Sequence, residues 1–129
     1  MLTNQISPSE AQLAQLQAYP KDKPLVMLNI LRFKAQATTN ETGQEVYARY
    51  FKNAQPFVAN SGAKLIWKGT VFNTIIGDSE NVPHLTFLVE YASATDFFAL
   101  ISNPEYQKIA GDRGLALEYG GLIACQTLD

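Results

Sequence analysis

Several residue types are scarce in this chain of 129 residues. There is one cysteine, Cys125, so a disulfide within the chain and a multi-cysteine metal site are both excluded. It lies in an apolar C-terminal run, where a buried, inert thiol is expected. There is one histidine, His84. Zinc sites usually draw on several His or Cys ligands, so no metal is expected within one subunit, and no cofactor is called for. Charged residues are only 17% of the chain and the net charge is −2, with acids and bases interspersed. Phosphate neutralisation needs clustered Lys and Arg, so nucleic acid is not an expected partner. Long apolar runs are also missing. The longest, Leu25 to Leu31, is interrupted by Asn29 and falls far short of the ~20 residues of a spanning helix, which argues against a membrane partner. The N-terminus lacks the basic-then-apolar order of a signal peptide, and a cytoplasmic location is the expectation.

What remains is an ordinary globular composition, 47% apolar. The length suits one domain, residues 1–129, with residues 1–20 as a peripheral helical region. In that region Ser7 reads as a helix cap, Pro8 as first-turn residue and Glu10 as the partner completing a capping box. Pro24 to Phe33 reads as the strongest strand. Val26, Leu28 and Ile30 point to one face and Leu25, Met27, Leu31 and Phe33 to the other, so both faces are apolar and both should be covered. Gly43 to Ser61 has helical spacing through Tyr47, Tyr50, Phe51, Ala54, Phe57 and Val58, with Pro56 expected to kink or break it. Lys64 to Ile76 reads as a long strand with a bulge or bend at Gly69. His84 to Tyr91 alternates as a strand. Ser93 to Asp96 opens a helix that Asn103-Pro104 restarts. Gly120-Gly121 should break that helix before a final strand, Leu122 to Leu128.

The order, a helix followed by β-α-β-β-α-β, is the split βαβ, ferredoxin-like arrangement of the α+β class. Its sheet carries helices on one face only. The other face should then be polar, yet the first strand is apolar on both sides, and the second carries Leu65, Trp67 and Val71 opposite Ile66 and Phe72. A second copy, meeting this face in a closed two-fold contact, is the simplest cover. The alternative is a monomer with its N-terminal helix folded under the sheet.

The segments MLNILRF (residues 27–33), GAKLIWKG (62–69), LVEYASATDFFALISNPEYQKIAGDR (88–113) and ALEYGGLIA (116–124) resemble the bacterial domain-of-unknown-function family 1330 (DUF1330) of the dimeric α+β barrel superfamily. The likeness covers Pro24 to Ile123. Its most specific piece is Asn103 to Gln107, followed by Arg113 and Leu117-Glu118. The resemblance implies a homodimer whose sheets face each other around a cleft, and no settled activity. Leu122 to Ala124 is apolar where an Arg would be looked for, so a site role for that Arg does not carry over.

Six residues are candidates for a site. His84 is the one side chain that titrates near neutrality, hence the acid–base candidate; the alternative is an exposed spectator. Arg32 has the planar fork to clamp a carboxylate, or pairs with Glu90 or Glu118. Asn29 either lines the cleft or bonds neighbouring backbone; three residues from Arg32, it belongs on the opposite face of a regular strand. Trp67 either floors an aromatic pocket or is buried in the interface. Tyr106, with Tyr47 and Tyr50, lies on a helix face as ligand contact, core or interface anchor. Arg113 is a ligand-binding candidate or a partner for Glu105 or a neighbouring loop. Two functional readings stand. One is a small-molecule-binding homodimer, extending to a cofactor-independent enzyme acting on a small organic acid or phenol in the cleft between or beside the sheets. The other is a non-catalytic binding or structural dimer. The superfamily also includes antibiotic-biosynthesis-type monooxygenases and haem-degrading ones that use an Asn, Trp and His set. Asn29, Trp67 and His84 match that set by type, but His84 precedes a strand where those enzymes have the His on a helix, and haem is not expected.

Overall fold

Each helix begins where a short polar side chain can take up a free backbone N–H. The computed structural model describes residues 6–128; residues 1–5 of the expected N-terminal region lie outside the described residues. Helix α1 spans Glu10–Leu16, capped by Ser9, whose hydroxyl accepts from Gln12 N while the Gln12 side chain accepts from Ser9 N. The cap is therefore Ser9 and not Ser7. The same S-x-x-E/Q spacing occurs twice between Ser7 and Gln12, and the box that forms is completed by Gln12. Helix α2, Gly43–Asn60, is capped in the same reciprocal way by Thr42 and Glu45. It runs unbroken through Pro56. The carbonyl that Pro56 leaves without its helical donor belongs to Lys52, and both residues are exposed, so water can take the place of the missing bond.

Strands β1 (Leu25–Phe33), β2 (Lys64–Thr70), β3 (Leu85–Tyr91) and β4 (Leu117–Cys125) form one antiparallel sheet in the order β2-β3-β1-β4. Helices α3 (Ala94–Ser102) and α4 (Pro104–Ala116) complete the ferredoxin-like α+β fold. Three boundaries differ from expectation. Strand β2 stops at Thr70, and the chain beyond it, through Phe72, Ile75 and Ile76, is loop. β2 is an edge strand, and past the Val71 to His84 hydrogen bond β3 offers no further residue to pair with. The register shift in β2 lies between Leu65 and Trp67 rather than at Gly69. Gly69 instead gives room: a Cβ there would fall 2.5 Å from the Trp67 ring. Finally, α4 ends at Ala116, and β4 runs through Gly120-Gly121 opposite Leu31 and Ile30 of β1. Pairing of this edge strand with β1 outweighs the helix-breaking tendency of the two glycines.

The core lies between the sheet and the helices. Leu25, Leu31, Val46 and Leu117 are essentially inaccessible, and each such side chain contributes roughly 1.5–3 kcal/mol relative to exposure. Along β1, Leu25, Met27, Asn29 and Leu31 are buried, whereas Val26, Leu28, Ile30 and Arg32 are half-buried on the outer face. Cys125 is half-buried rather than buried; it pairs with Val26, on the outer face of the sheet. No described helix is long and apolar enough to cross a membrane.

Candidate functional site

Between the inner face of the sheet and helices α2 and α4 lies a cavity of about 570 Å³. Met27, Phe87, Val89 and Leu122 supply apolar wall from the sheet, and Tyr50, Ala54 and Tyr106 from the helices. Into this apolar room project a few polar groups. Asn29, 7% exposed, donates from Nδ2 to Met27 O at 3.3 Å, and among the described residues its Oδ1 accepts nothing. The Tyr50 and Tyr106 hydroxyls bond each other at 2.6 Å. The hydroxyls of Tyr47 and Tyr91 have no partner among the described residues, yet none of the buried side-chain nitrogens and oxygens described is sealed off unpaired. Both hydroxyls therefore open onto the space their side chains line. Burial raises the pKa of Tyr47, Tyr50 and Tyr91, so all three are neutral donors at physiological pH.

Among the described residues the one charge on this wall is Arg113 of α4. Its Nη1 donates to Ile6 O at 2.7 Å and its Nη2 to Gly120 O at 3.4 Å, and it makes no salt bridge among the described residues. A Cβ at position 120 would sit 2.9 Å from Nη2, so the glycine allows the guanidinium to lie against β4. Its field lowers the pKa of Tyr47 and Tyr50 against the larger effect of burial, which places the charge beside both phenols.

A second cleft opens at the end of the sheet where β1 finishes, walled by Arg32, Phe33, Lys68, His84 and Glu118, and sharing Tyr47 and Phe51 with the first. Arg32 Nε donates to Glu118 Oε2 at 2.8 Å and Nη1 to Val82 O at 2.6 Å. His84 Nδ1 accepts from Phe33 N at 3.0 Å. The His84 pKa is lowered by burial first and by Arg32 second, with Glu118 opposing.

The model of the Domain of unknown function (DUF1330) matches residues 35–124. The chain belongs to the DUF1330 family. No curated protein matches it. Among solved structures, the RPA0582 protein of unknown function from Rhodopseudomonas palustris is 30% identical, with a TM-score of 0.92 over 98% of this chain and 99% of that one. The hydroxynitrile lyase from Passiflora edulis is 14% identical, with a TM-score of 0.62 over 84% and 96%. A dimeric protein of unknown function and ferredoxin-like fold from Bacteroides fragilis is 11% identical, with a TM-score of 0.54 over 84% and 100%. The last two likenesses show the fold.

In this DUF1330 chain the six candidate residues divide. Asn29, Tyr106 and Arg113 meet at the inner cavity; Arg32 and His84 meet at the sheet-end cleft. Trp67 lies on neither and is 54% exposed on β2. The Asn, Trp and His matched by type to haem-degrading enzymes are thus in three separate places. Arg32 pairs with Glu118 and not Glu90, and Glu105 pairs with Lys108 rather than Arg113. In the sequence Tyr47 reads as a core or interface anchor and Tyr91 as the last residue of the alternating strand from His84. The signal available was their burial-prone position combined with a hydroxyl that needs a partner.

Proposed function

We propose that each protomer binds a small, largely apolar organic acid or phenol in the cavity between the sheet and α2 and α4. The observation that carries this is Arg113, a guanidinium without an acidic partner in the described chain, set in an apolar room that also holds an amide and phenol hydroxyls. An anionic oxygen on the ligand would meet Arg113 in a charge-assisted hydrogen bond. Asn29 Oδ1 would accept from a ligand hydroxyl, and Tyr47 and Tyr91 would donate. Apolar cavities of this size with a few convergent polar groups are the usual form of small-molecule sites. Among the described residues no side chain lining the cavity titrates near neutrality, because His84 lies in the other cleft. That favours binding over acid–base catalysis.

The test is calorimetric titration with benzoate, phenol and a neutral analogue such as toluene. Wild type is expected to prefer benzoate or phenol to toluene, and Arg113→Met to lose about tenfold or more in affinity for the acid alone, the size of a charged hydrogen bond. Absence of binding by any of the three, or equal binding of benzoate by the variant, would rule the reading out.

We also infer that the outer sheet face pairs with a second copy. Trp67, Ile66 and Ile123 are 54%, 52% and 43% exposed there or beside it, and Phe72, Ile75 and Ile76 of the following loop are over four-fifths exposed. Ile6 to Pro8 and Leu13, at the start of α1, approach Met27 and Leu122 on the opposite side of the sheet, so α1 leaves the outer face uncovered. An exposed apolar surface of this extent marks an interaction site. Sedimentation equilibrium is expected to give twice the chain mass, and Leu28→Asp a monomer. A monomeric wild type at micromolar concentration would refute the pairing.

A further inference from the structure

We propose that the cleft at the end of the sheet is a second binding site, which takes an oxyanion, a carboxylate or a phosphate on a small organic molecule, between the Arg32 guanidinium and His84 Nε2. The cleft has a volume of about 980 Å³. It gathers Arg32, Lys34, Lys52 and Lys68, four of the chain's ten cations, against one acid, Glu118. That acid is already paired with Arg32. Among the described residues Lys34, Lys52 and Lys68 make no salt bridge. Lys68 Nζ instead lies 3.7 Å above the Phe51 ring, which with Phe33 gives the cleft an apolar wall suited to the body of a small molecule. In a chain of net charge −2, this local excess attracts anions.

The decisive geometry is at His84. Its Nδ1 accepts the Phe33 amide proton, so the neutral ring must carry its own proton on Nε2. Nε2 lies 3.3 Å from Arg32 Nη1, which is also a donor. The contact is therefore not a hydrogen bond. It sets two N–H groups side by side with no acceptor between them, an arrangement that one oxyanion completes. Arg32 is held in place by Glu118 and by Val82 O through Nε and Nη1, leaving Nη2 uncommitted among the described residues. The charges that line the cleft with the imidazole are Arg32 on β1, Lys34 just after it, Lys52 on α2, Lys68 on β2 and Glu118 on β4. Burial and then Arg32 lower the pKa of the ring, which favours the neutral form whose Nδ1 can accept the Phe33 amide.

Because His84 is the only histidine, its imidazole resonances are unambiguous in an NMR spectrum of the whole chain. His84 lines the sheet-end cleft and not the inner cavity, while Tyr47 and Phe51 line both, so a His84 shift belongs to the sheet-end cleft when loss of that cleft's lysines weakens it. The probes are sodium phosphate and sodium benzoate, titrated separately near neutral pH at constant ionic strength set with sodium chloride. A saturable shift of the Nε2 signal is expected with at least one of them. A response to phosphate alone assigns the site to phosphorylated ligands, and one to benzoate alone to carboxylates. The double variant Lys52→Gln, Lys68→Gln, at two exposed positions, is expected to weaken that response about tenfold. Arg32→Lys, which keeps the charge and loses the fork, should weaken it further. The double lysine variant decides the matter if Arg32→Lys does not fold. No saturable shift with either anion, or an unchanged affinity in the double variant, would overturn the site.

Discussion

The inner cavity and the sheet-end cleft share two side chains, Tyr47 and Phe51, and little else. The inner cavity is walled by the core itself, and its polar groups are an amide, neutral phenols and a single guanidinium. The sheet-end cleft stands where the strands run out, and its polar groups are ammonium and guanidinium ions around one imidazole. The contrast follows from the cost of burial. A hydroxyl can be carried into the interior if it finds a partner, while several like charges can only be gathered where water still reaches them. Each region thus holds the kind of polar group that its surroundings can solvate.

The largest effect that separates the two regions is on stability. Leu31→Ala, at a fully buried position, is expected to cost about 2–5 kcal/mol in urea unfolding. The Lys52→Gln, Lys68→Gln chain should unfold within ~0.5 kcal/mol of wild type. A loss comparable to that of Leu31→Ala in the lysine variant would show that the cleft belongs to the core after all. A smaller effect is expected inside the cavity itself. Tyr50→Phe removes the hydroxyl that Tyr106 bonds and should cost about 1–2 kcal/mol, read from the same unfolding curves. An unchanged midpoint would mean that water replaces the lost hydroxyl and that the cavity is wet.

The smallest effect is on pH dependence, and the two regions should respond at opposite ends of the scale. His84 has a folded pKa below its unfolded value of about 6.5. Its contribution is complete above that value and is lost as pH falls through it, because the unfolded chain binds the proton first. The inner tyrosines have folded pKa values above about 10. Their contribution is present below that value and is lost as pH rises through the folded values. Unfolding measured across pH should therefore show an acid slope that His84→Gln abolishes and an alkaline slope that it leaves intact. An acid slope surviving in His84→Gln would assign it to carboxylates instead.

Much of the fold was legible because periodicity reports which side of an element is covered. The two-sided apolar pattern of β1, the Ser93 and Asn103 helix starts and the overall element order all appear in the structure. The misplaced boundaries share a cause. Gly120-Gly121, Pro56 and the run to Ile76 were judged by local preference, while pairing with β1, solvent access at Lys52 and the end of β3 decided them. The DUF1330 likeness was likewise carried by short segments, and the family model covers residues 35–124.

By itself, then, the sequence determined the α+β class, the element order, the family and the residue types from which a site could be built. Those properties depend on short-range pattern and composition, which a linear chain carries in full. Only the tertiary structure decided which candidates meet. Asn29 and Arg32 are three residues apart yet serve different cavities, while Arg32 and His84, 52 residues apart, come within 3.3 Å. The same holds for the lysines, interspersed with acids along the chain and collected in one cleft by β1, α2 and β2. The physical reason is that alternation along a strand separates sequence neighbours, and antiparallel pairing brings distant residues side by side.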